Sequence, residues 1–169
     1  MADAHFEVPR LAELYDPLDP DRSDLDAYAR LAAEFGARTV LDIGCGTGTL
    51  ACLLAGRGLE VIAADPAAAS LEVARRKPGA GRVRWVHTDA TALPPVRADL
   101  ATMTGNVAQV FVSGEEWAAV LRAVRGSLRP GGRLAFESRD PGKKAWLGWN
   151  RGQTYRRAVI PDAGPSRRG

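Results

Sequence analysis

The chain has 169 residues, 46% of them hydrophobic and 25% charged, with a formal net charge of +3. That length suits one domain able to bury a core, and no apolar run approaches the roughly 18 residues that a membrane-spanning helix needs. Two cysteines, Cys45 and Cys52, with no histidines at ligand spacing exclude a zinc pattern and a disulfide framework.

The charge is unevenly spread. Residues 1–26 hold eight acids against Arg10 and Arg22, and residues 139–169 hold eight bases against Asp140 and Asp162. The bases are scattered among Gly, Pro and Trp rather than lined along a helix. This points to a solvated surface and argues against a nucleic-acid partner. Free thiols and an N-terminus without an apolar leader predict a cytoplasmic protein.

Residues 1–22 are polar and carry Pro9, Pro17 and Pro20, which predicts an extended or partly helical lead-in. Ser23 and Asp26 predict a shortened capping box before an apolar-periodic helix (Leu25, Tyr28, Leu31, Ala32, Phe35) that Gly36 stops. A strand over 38–43 runs into a glycine loop. A helix over 49–55 follows, with Leu50, Leu53 and Leu54 inward. A second strand, 60–64, finishes at Asp65-Pro66, and proline suits a helix start, here for 67–77. Pro78-Gly79 breaks that helix. Strands are predicted over 83–88 and 99–104. Ser113 and Glu116 form a capping box for a helix with Trp117, Val120, Leu121, Val124 and Leu128 on one face. Pro130-Gly131-Gly132 predicts a turn into a fifth strand, 133–138. Past Asp140 the pattern weakens to a short helix near 145–150, a strand over 155–160 and a disordered end over 164–169.

Strands alternating with helices predict an α/β fold with a doubly wound, mostly parallel open sheet. The chain divides into a lead-in (1–22), an α/β core (23–140) and a C-terminal region with a tail (141–169).

In such sheets, ligands bind beyond the carboxyl ends of the strands at the switch point. Gly44, Gly46 and Gly48 follow the first strand, where glycine allows a tight turn and close approach of a ligand to the backbone. The dinucleotide fingerprint G-x-G-x-x-G places its third glycine one residue later, where Thr49 stands, so the spacing argues against a seated pyrophosphate. Asp65 can accept hydrogen bonds from ribose hydroxyls and would repel a 2′-phosphate. It can equally cap the helix at Pro66. His87 lies inside the third strand and reads as structural, so no side chain stands out as a general base.

Leu41-Asp42-Ile43-Gly44-Cys45-Gly46-Thr47-Gly48 resembles the first motif of class I S-adenosylmethionine-dependent methyltransferases, and the resemblance runs from about Tyr15 to Arg139. It implies a Rossmann-like fold and S-adenosylmethionine as cofactor. By that resemblance Gly44 and Gly46, in the loop with Cys45 and Gly48, touch the methionine moiety, and Asp42 sits near its ammonium. Asp65 holds the ribose. Asp89 and the Ala90 backbone read the adenine, with Pro66 and Leu93 on its faces. Asn106 lies near the methyl donor. Tyr15 reaches the cofactor carboxylate or, as an alternative, is a partly buried aromatic with a wet hydroxyl. The chemistry implied is direct displacement of the methyl group, governed by alignment of the reactants.

No Asn-Pro-Pro-Tyr-like stretch follows the fourth strand. Gly105-Asn106-Val107-Ala108 stands there, which favours a small-molecule acceptor over DNA bases. The family's sheet has seven strands and only five are placed here, which predicts a chain shortened at its C-terminus. The fifth strand then exposes an edge, to be covered by Trp146 and Trp149 or paired with a second copy as a homodimer. A truncated, catalytically silent S-adenosylmethionine-binding domain is the alternative to an active methyltransferase.

Overall fold

The computed structural model describes residues 4–155 and residue 160. Five parallel strands form one open sheet in the order β3-β2-β1-β4-β5. They are β1 (Thr39–Ile43), β2 (Glu60–Asp65), β3 (Val83–His87), β4 (Ala98–Met103) and β5 (Leu128–Phe136). The strand order reverses at β1, which pairs with β2 from Thr39↔Glu60 to Ile43↔Ala64 and with β4 from Val40↔Leu100 to Asp42↔Thr102. The predicted doubly wound sheet is therefore present, and all its pairings are parallel.

Helices cover both faces, as buried parallel strands require. On one face α3 (Leu25–Glu34), α4 (Thr49–Gly56) and α5 (Ala68–Arg75) close a core around Val40, Val61 and Leu100. On the other, α6 (Gly114–Ser127) places Val120 and Val124 against Leu41, Ile43, Ala101 and Met103. The Ser113–Glu116 capping box forms in both directions, the Glu116 N–H reaching Ser113 Oγ at 3.1 Å and the Ser113 N–H reaching Glu116 Oε2 at 3.2 Å. Leu121 is exposed on α6 rather than buried.

Two local expectations are refined and two are corrected. The lead-in is helical, with α1 (Ala4–Glu7) and α2 (Pro9–Leu18) packed on α5; Ser70 Oγ donates to the Phe6 carbonyl at 3.0 Å. Pro9 fits the first turn of α2, where a missing N–H costs nothing. The Ser23 cap does not form: the Asp26 N–H meets the Ser23 carbonyl, and the Ser23 N–H goes to Asp21 Oδ1. Pro130-Gly131-Gly132 is no turn before the strand but an irregularity inside β5, where pairing jumps from Ala98↔Leu128 to Leu100↔Arg133. Near 145–150 the chain makes a 3-10 turn over Ala145–Gly148 and then a short α-helix, Arg151–Thr154. The strand expected over 155–160 depends on 156–159, which lie outside the described residues, as does the end at 164–169.

Among the described residues β5 is an edge strand, and Trp146 and Trp149 do not seal it: both are more than half exposed, with the Arg139 guanidinium 4.7 Å from the Trp149 ring centre.

Candidate active site

A cleft of about 670 Å³ opens beyond the carboxyl ends of β1, β2, β3 and β4, within the roughly 300–1,000 Å³ range of small-molecule sites. Its floor is the turn that leaves β1. The Gly44 and Cys45 N–H groups both donate to the Ala64 carbonyl, at 2.8 and 3.2 Å, which ties the loop to β2.

The three glycines play different parts. All have positive φ (+68°, +53° and +77° for Gly44, Gly46 and Gly48), a region that L side chains enter only at a cost. A Cβ on Gly44 would meet the Val107 side chain at 2.5 Å, and one on Gly48 would meet the Trp85 ring at 2.5 Å and Ala74 at 2.9 Å. Gly44 and Gly48 are thus also fixed by packing. A Cβ on Gly46 would meet nothing within 4 Å, so that side of the loop faces open space.

Asp65 ends β2 and holds this loop. Its Oδ2 accepts from the Gly46 N–H at 2.8 Å and its Oδ1 from the Ala67 N–H at 2.7 Å. Both sequence readings of Asp65 therefore have a basis, since it organises the turn into α5 and also lines the cleft. Burial pushes its carboxyl above the usual range, against the lowering pull of those two N–H groups. Asp89 turns the chain after β3, Oδ1 accepting from the N–H and the hydroxyl of Thr91 at 2.8 Å each. His87 points a ring nitrogen, Nε2, at the Pro66 carbonyl at 2.8 Å, so it bridges the ends of β2 and β3, as the structural reading expects.

Of the residues expected at the site, Tyr15, Gly44, Cys45, Gly46, Asp65, Pro66, Asp89 and Ala90 line the cleft, and so does Leu93. Asp42, Gly48 and Asn106 are not part of its wall. Asp42 is fully buried on β1, beneath the loop; its Oδ1 accepts from Thr102 Oγ1 at 2.9 Å and its Oδ2 has no partner. Desolvation pushes its carboxyl up to about 7. Asn106 sits at φ +68° and its N–H donates to Glu137 Oε1 at 3.2 Å, while Glu137 Oε2 accepts from the Tyr28 hydroxyl at 3.0 Å. Burial, and then Glu137, raise the Tyr28 phenol. Burial also holds Cys45 as a neutral thiol.

Sequence reasoning missed the closure of the cleft by the N-terminal helices. Phe6 and Arg22 stand on its wall with Tyr15, whose ring centre lies 5.6 Å from that of Phe6. Lys77 Nζ meets Asp16 Oδ2 at 2.7 Å and donates to Thr49 Oγ1 at 2.7 Å, and Thr47 Oγ1 donates to Asp16 Oδ1 at 2.7 Å. These bonds pin α2 across the glycine loop. The only signal in the sequence was a threonine on each side of Gly48, which carries no pairing information.

Residues 40–132 match a family model described as a methyltransferase domain. The chain belongs to this family. Its methyltransferase domain is 37% identical over 113 residues to a demethylmenaquinone methyltransferase of Clavibacter sepedonicus, covering 65% of this chain and 44% of that protein. It is 36% identical over 105 residues to a cypemycin N-terminal methyltransferase of a Streptomyces species, covering 62% and 43%. Among solved structures, the CcbJ methyltransferase of Streptomyces caelestis superposes with a TM-score of 0.69 at 26% identity, covering 80% of this chain and 58% of that one. The chain spans about half the length of the curated relatives it matches.

The cofactor of the family fits the residues present. Arg22 puts a cation and Asp65 a carboxylate on the cleft wall, and the Cβ side of Gly46 is open, while Asp42 Oδ2 lies buried without a partner.

Proposed function

We propose that this domain binds S-adenosylmethionine in the cleft and transfers its methyl group to a small-molecule acceptor. The observation that carries the reading is the Gly46 turn: open on its Cβ side and held from beneath by Asp65 at the switch point of the sheet. Gly44, Cys45 and Gly46 cradle the methionine portion, with Gly48 shaping the loop. Tyr15 and Arg22 face its carboxylate and Asp42 its ammonium. Asp65 takes the ribose hydroxyls. Asp89, Ala90, Pro66 and Leu93 enclose the adenine. Asn106 anchors the β4 loop beside the methyl donor.

The bound cofactor supplies an activated methyl group on a sulfonium. What the protein adds is alignment and exclusion of water by the α2 cover, and orientation alone is worth on the order of 7–11 kcal/mol in well-oriented systems. The β4 side of the cleft is formed by Val107, Val110 and Phe111, an apolar surface suited to a small organic acceptor. Names of relatives support that class, since one is a demethylmenaquinone methyltransferase, and a neighbour at 26% identity and TM-score 0.56 is described with bound 1,6-didemethyltoxoflavin and S-adenosylhomocysteine. Among the described residues no helix is long and apolar enough to cross a membrane. With the free thiols Cys45 and Cys52, this supports a cytoplasmic setting.

A second reading, cofactor binding without transfer, is favoured by the open β5 edge beside the acceptor side. In the same reading the edge pairs with a second copy to form a homodimer. Calorimetric titration with S-adenosylmethionine, S-adenosylhomocysteine and NAD tests the cofactor, and tighter binding of NAD would overturn it. Release of S-adenosylhomocysteine only when acceptors are added separates transfer from silent binding.

A further inference from the structure

Among the described residues nothing pairs with the outer side of β5, the last strand of the sheet. Its two halves differ. From Leu128 to Gly132 the ladder is irregular: the pairing slips, Pro130 has no N–H to offer, and Arg129 is drawn to Asp99 on β4. From Arg133 to Phe136 the strand follows β4 in unbroken register, Leu100↔Arg133 to Met103↔Phe136. An unpaired edge of that kind is a template for another strand. Its side chains are sorted by face. The Arg133 guanidinium lies 4.5 Å from the Phe35 ring centre, and Glu137 Oε2 accepts from the Tyr28 hydroxyl at 3.0 Å, so both charges stand on the α3 side. Leu134 joins the core on the α6 side, where the Phe136 ring centre lies 5.4 Å from that of Trp117. Arg133 and Phe136 are exposed.

We propose that this half of β5 is an interface between two copies of the chain, paired antiparallel about a two-fold axis at Ala135. The inference gives a register to the homodimer proposed for this edge and does not depend on the cofactor. A two-fold axis that makes neighbouring strands antiparallel stands normal to the sheet, so each face continues into the same face of the partner. About Ala135, Arg133 stands opposite the partner's Glu137, and Glu137 opposite the partner's Arg133. On the other face Leu134 stands opposite the partner's Phe136. Opposite charges and apolar pairs directly across a ladder stabilise it, and like charges weaken it. Other axes lose this match. An axis at Arg133 sets two guanidiniums against each other. One at Phe136 sets Arg133 against the partner's Arg139, and one at Leu134 sets Glu137 against the partner's Gly131. A second copy is therefore the occupant that the edge itself specifies, because it carries the acid and the base at the spacing the edge needs.

The test is sedimentation and cross-linking of the full chain. Directly opposed residues have Cα atoms about 4.5–5.5 Å apart, within the roughly 4.4–6.8 Å that a disulfide spans. Arg133 and its own copy stand four residues out of register, about 13 Å apart at the rise of a strand. In a Cys52→Ser background, where only the buried Cys45 remains, Ala135→Cys should cross-link under mild oxidation and Arg133→Cys should not. The unaltered chain should sediment as a dimer. Arg133→Glu should weaken that dimer about tenfold, because both charge pairs become repulsive at once. Mixing Arg133→Glu with Glu137→Lys should restore a dimer of one copy of each, since opposite charges face each other again. Glu137→Lys also removes the acceptor of the Tyr28 hydroxyl and the Asn106 N–H; if it does not fold, the cysteine variants and Arg133→Glu decide alone. A monomer at every concentration overturns the proposal. So does a dimer that Arg133→Glu leaves intact, or one that cross-links through Arg133→Cys as readily as through Ala135→Cys, which leaves a homodimer standing with another register. S-adenosylhomocysteine binding, titrated on the same samples, reports on the cofactor reading separately.

Discussion

The two flanks of β1 are built differently. Toward β2 the sheet is sealed: five of the six residues of β2 are buried, only Val83 is buried in β3 at the edge, and the carboxylates at the strand ends bond to backbone N–H groups within the turns they organise. On the other side β4 is as deeply buried, and the sheet opens beyond it: β5 has no buried residue, Phe136 is 47% exposed, and Val112 is 89% exposed beside the Phe111–Trp117 stack. A preorganised nucleoside side needs rigid backbone donors and acceptors in fixed places. An acceptor side can be apolar and adaptable. The sealed flank also carries a cost, because it buries Asp42 without a full set of partners.

That cost makes the largest predicted effect. The folded-state carboxyl of Asp42 is pushed up to about 7, against about 3.9 when unfolded. The folded state therefore binds more protons between those values, and stability falls as pH rises from about 4 to about 7. Full ionisation costs on the order of 4 kcal/mol. Asp42→Asn should remove this slope and raise the melting temperature of the ligand-free protein at pH 8. A urea midpoint that is flat with pH in the wild-type chain would break the contrast between the flanks. Asp65, raised by burial, shifts in the same direction, so the slope is read as the difference between wild type and variant.

The glycines separate packing from ligand contact. Gly48→Ala should cost about 2–4 kcal/mol, because its Cβ meets Trp85 and Ala74 in the sealed core at positive φ. Gly46→Ala should cost only about 1–2 kcal/mol of stability, since its Cβ enters open space, yet weaken cofactor binding by more. Chemical denaturation and titration of both variants check the inversion; equal effects in the two assays would mean that Gly46, too, is only a turn. Asp65→Ala should weaken cofactor binding by about 1.5–3 kcal/mol and also leave the Gly46 and Ala67 N–H groups unpaired. Unchanged affinity would reduce Asp65 to its structural part.

The sheet was legible in the sequence because apolar runs broken by Gly and Pro are local signals, and so was the capping box of α6. The wall of the cleft was legible for the same reason: the glycine loop, Asp65 and Asp89, which line it, each sit where a strand ends. What escaped was non-local. Nothing in Pro130-Gly131-Gly132 says that the chain continues in the ladder rather than turning, since that depends on the place β4 offers at Ala98. Nothing beside Asp42 announces an unpartnered oxygen. The α2 cover depends on Lys77, just past the C-terminal end of α5, finding Asp16.

That cover yields the smallest effect. Lys77 and Asp16 are partly exposed, with 21% and 31% of their side chains accessible, so the ion pair alone is worth about 0–1 kcal/mol. The threonine hydroxyls of the glycine loop join the same cluster, and each net hydrogen bond adds about 0.5–1.5 kcal/mol. Lys77→Met keeps the aliphatic stem and removes the charge, so it should destabilise the chain by only about 1–2 kcal/mol. The loss should concentrate in α2. Amide exchange over 9–18 should accelerate, while the β1 and β2 amides on the sealed flank stay protected. If the cover closes the cofactor cleft, the variant should also release S-adenosylhomocysteine faster, by several-fold, with a smaller change in the association rate. Acceleration of β1 exchange to the same degree would instead mean that α2 is part of the core rather than a cover over it.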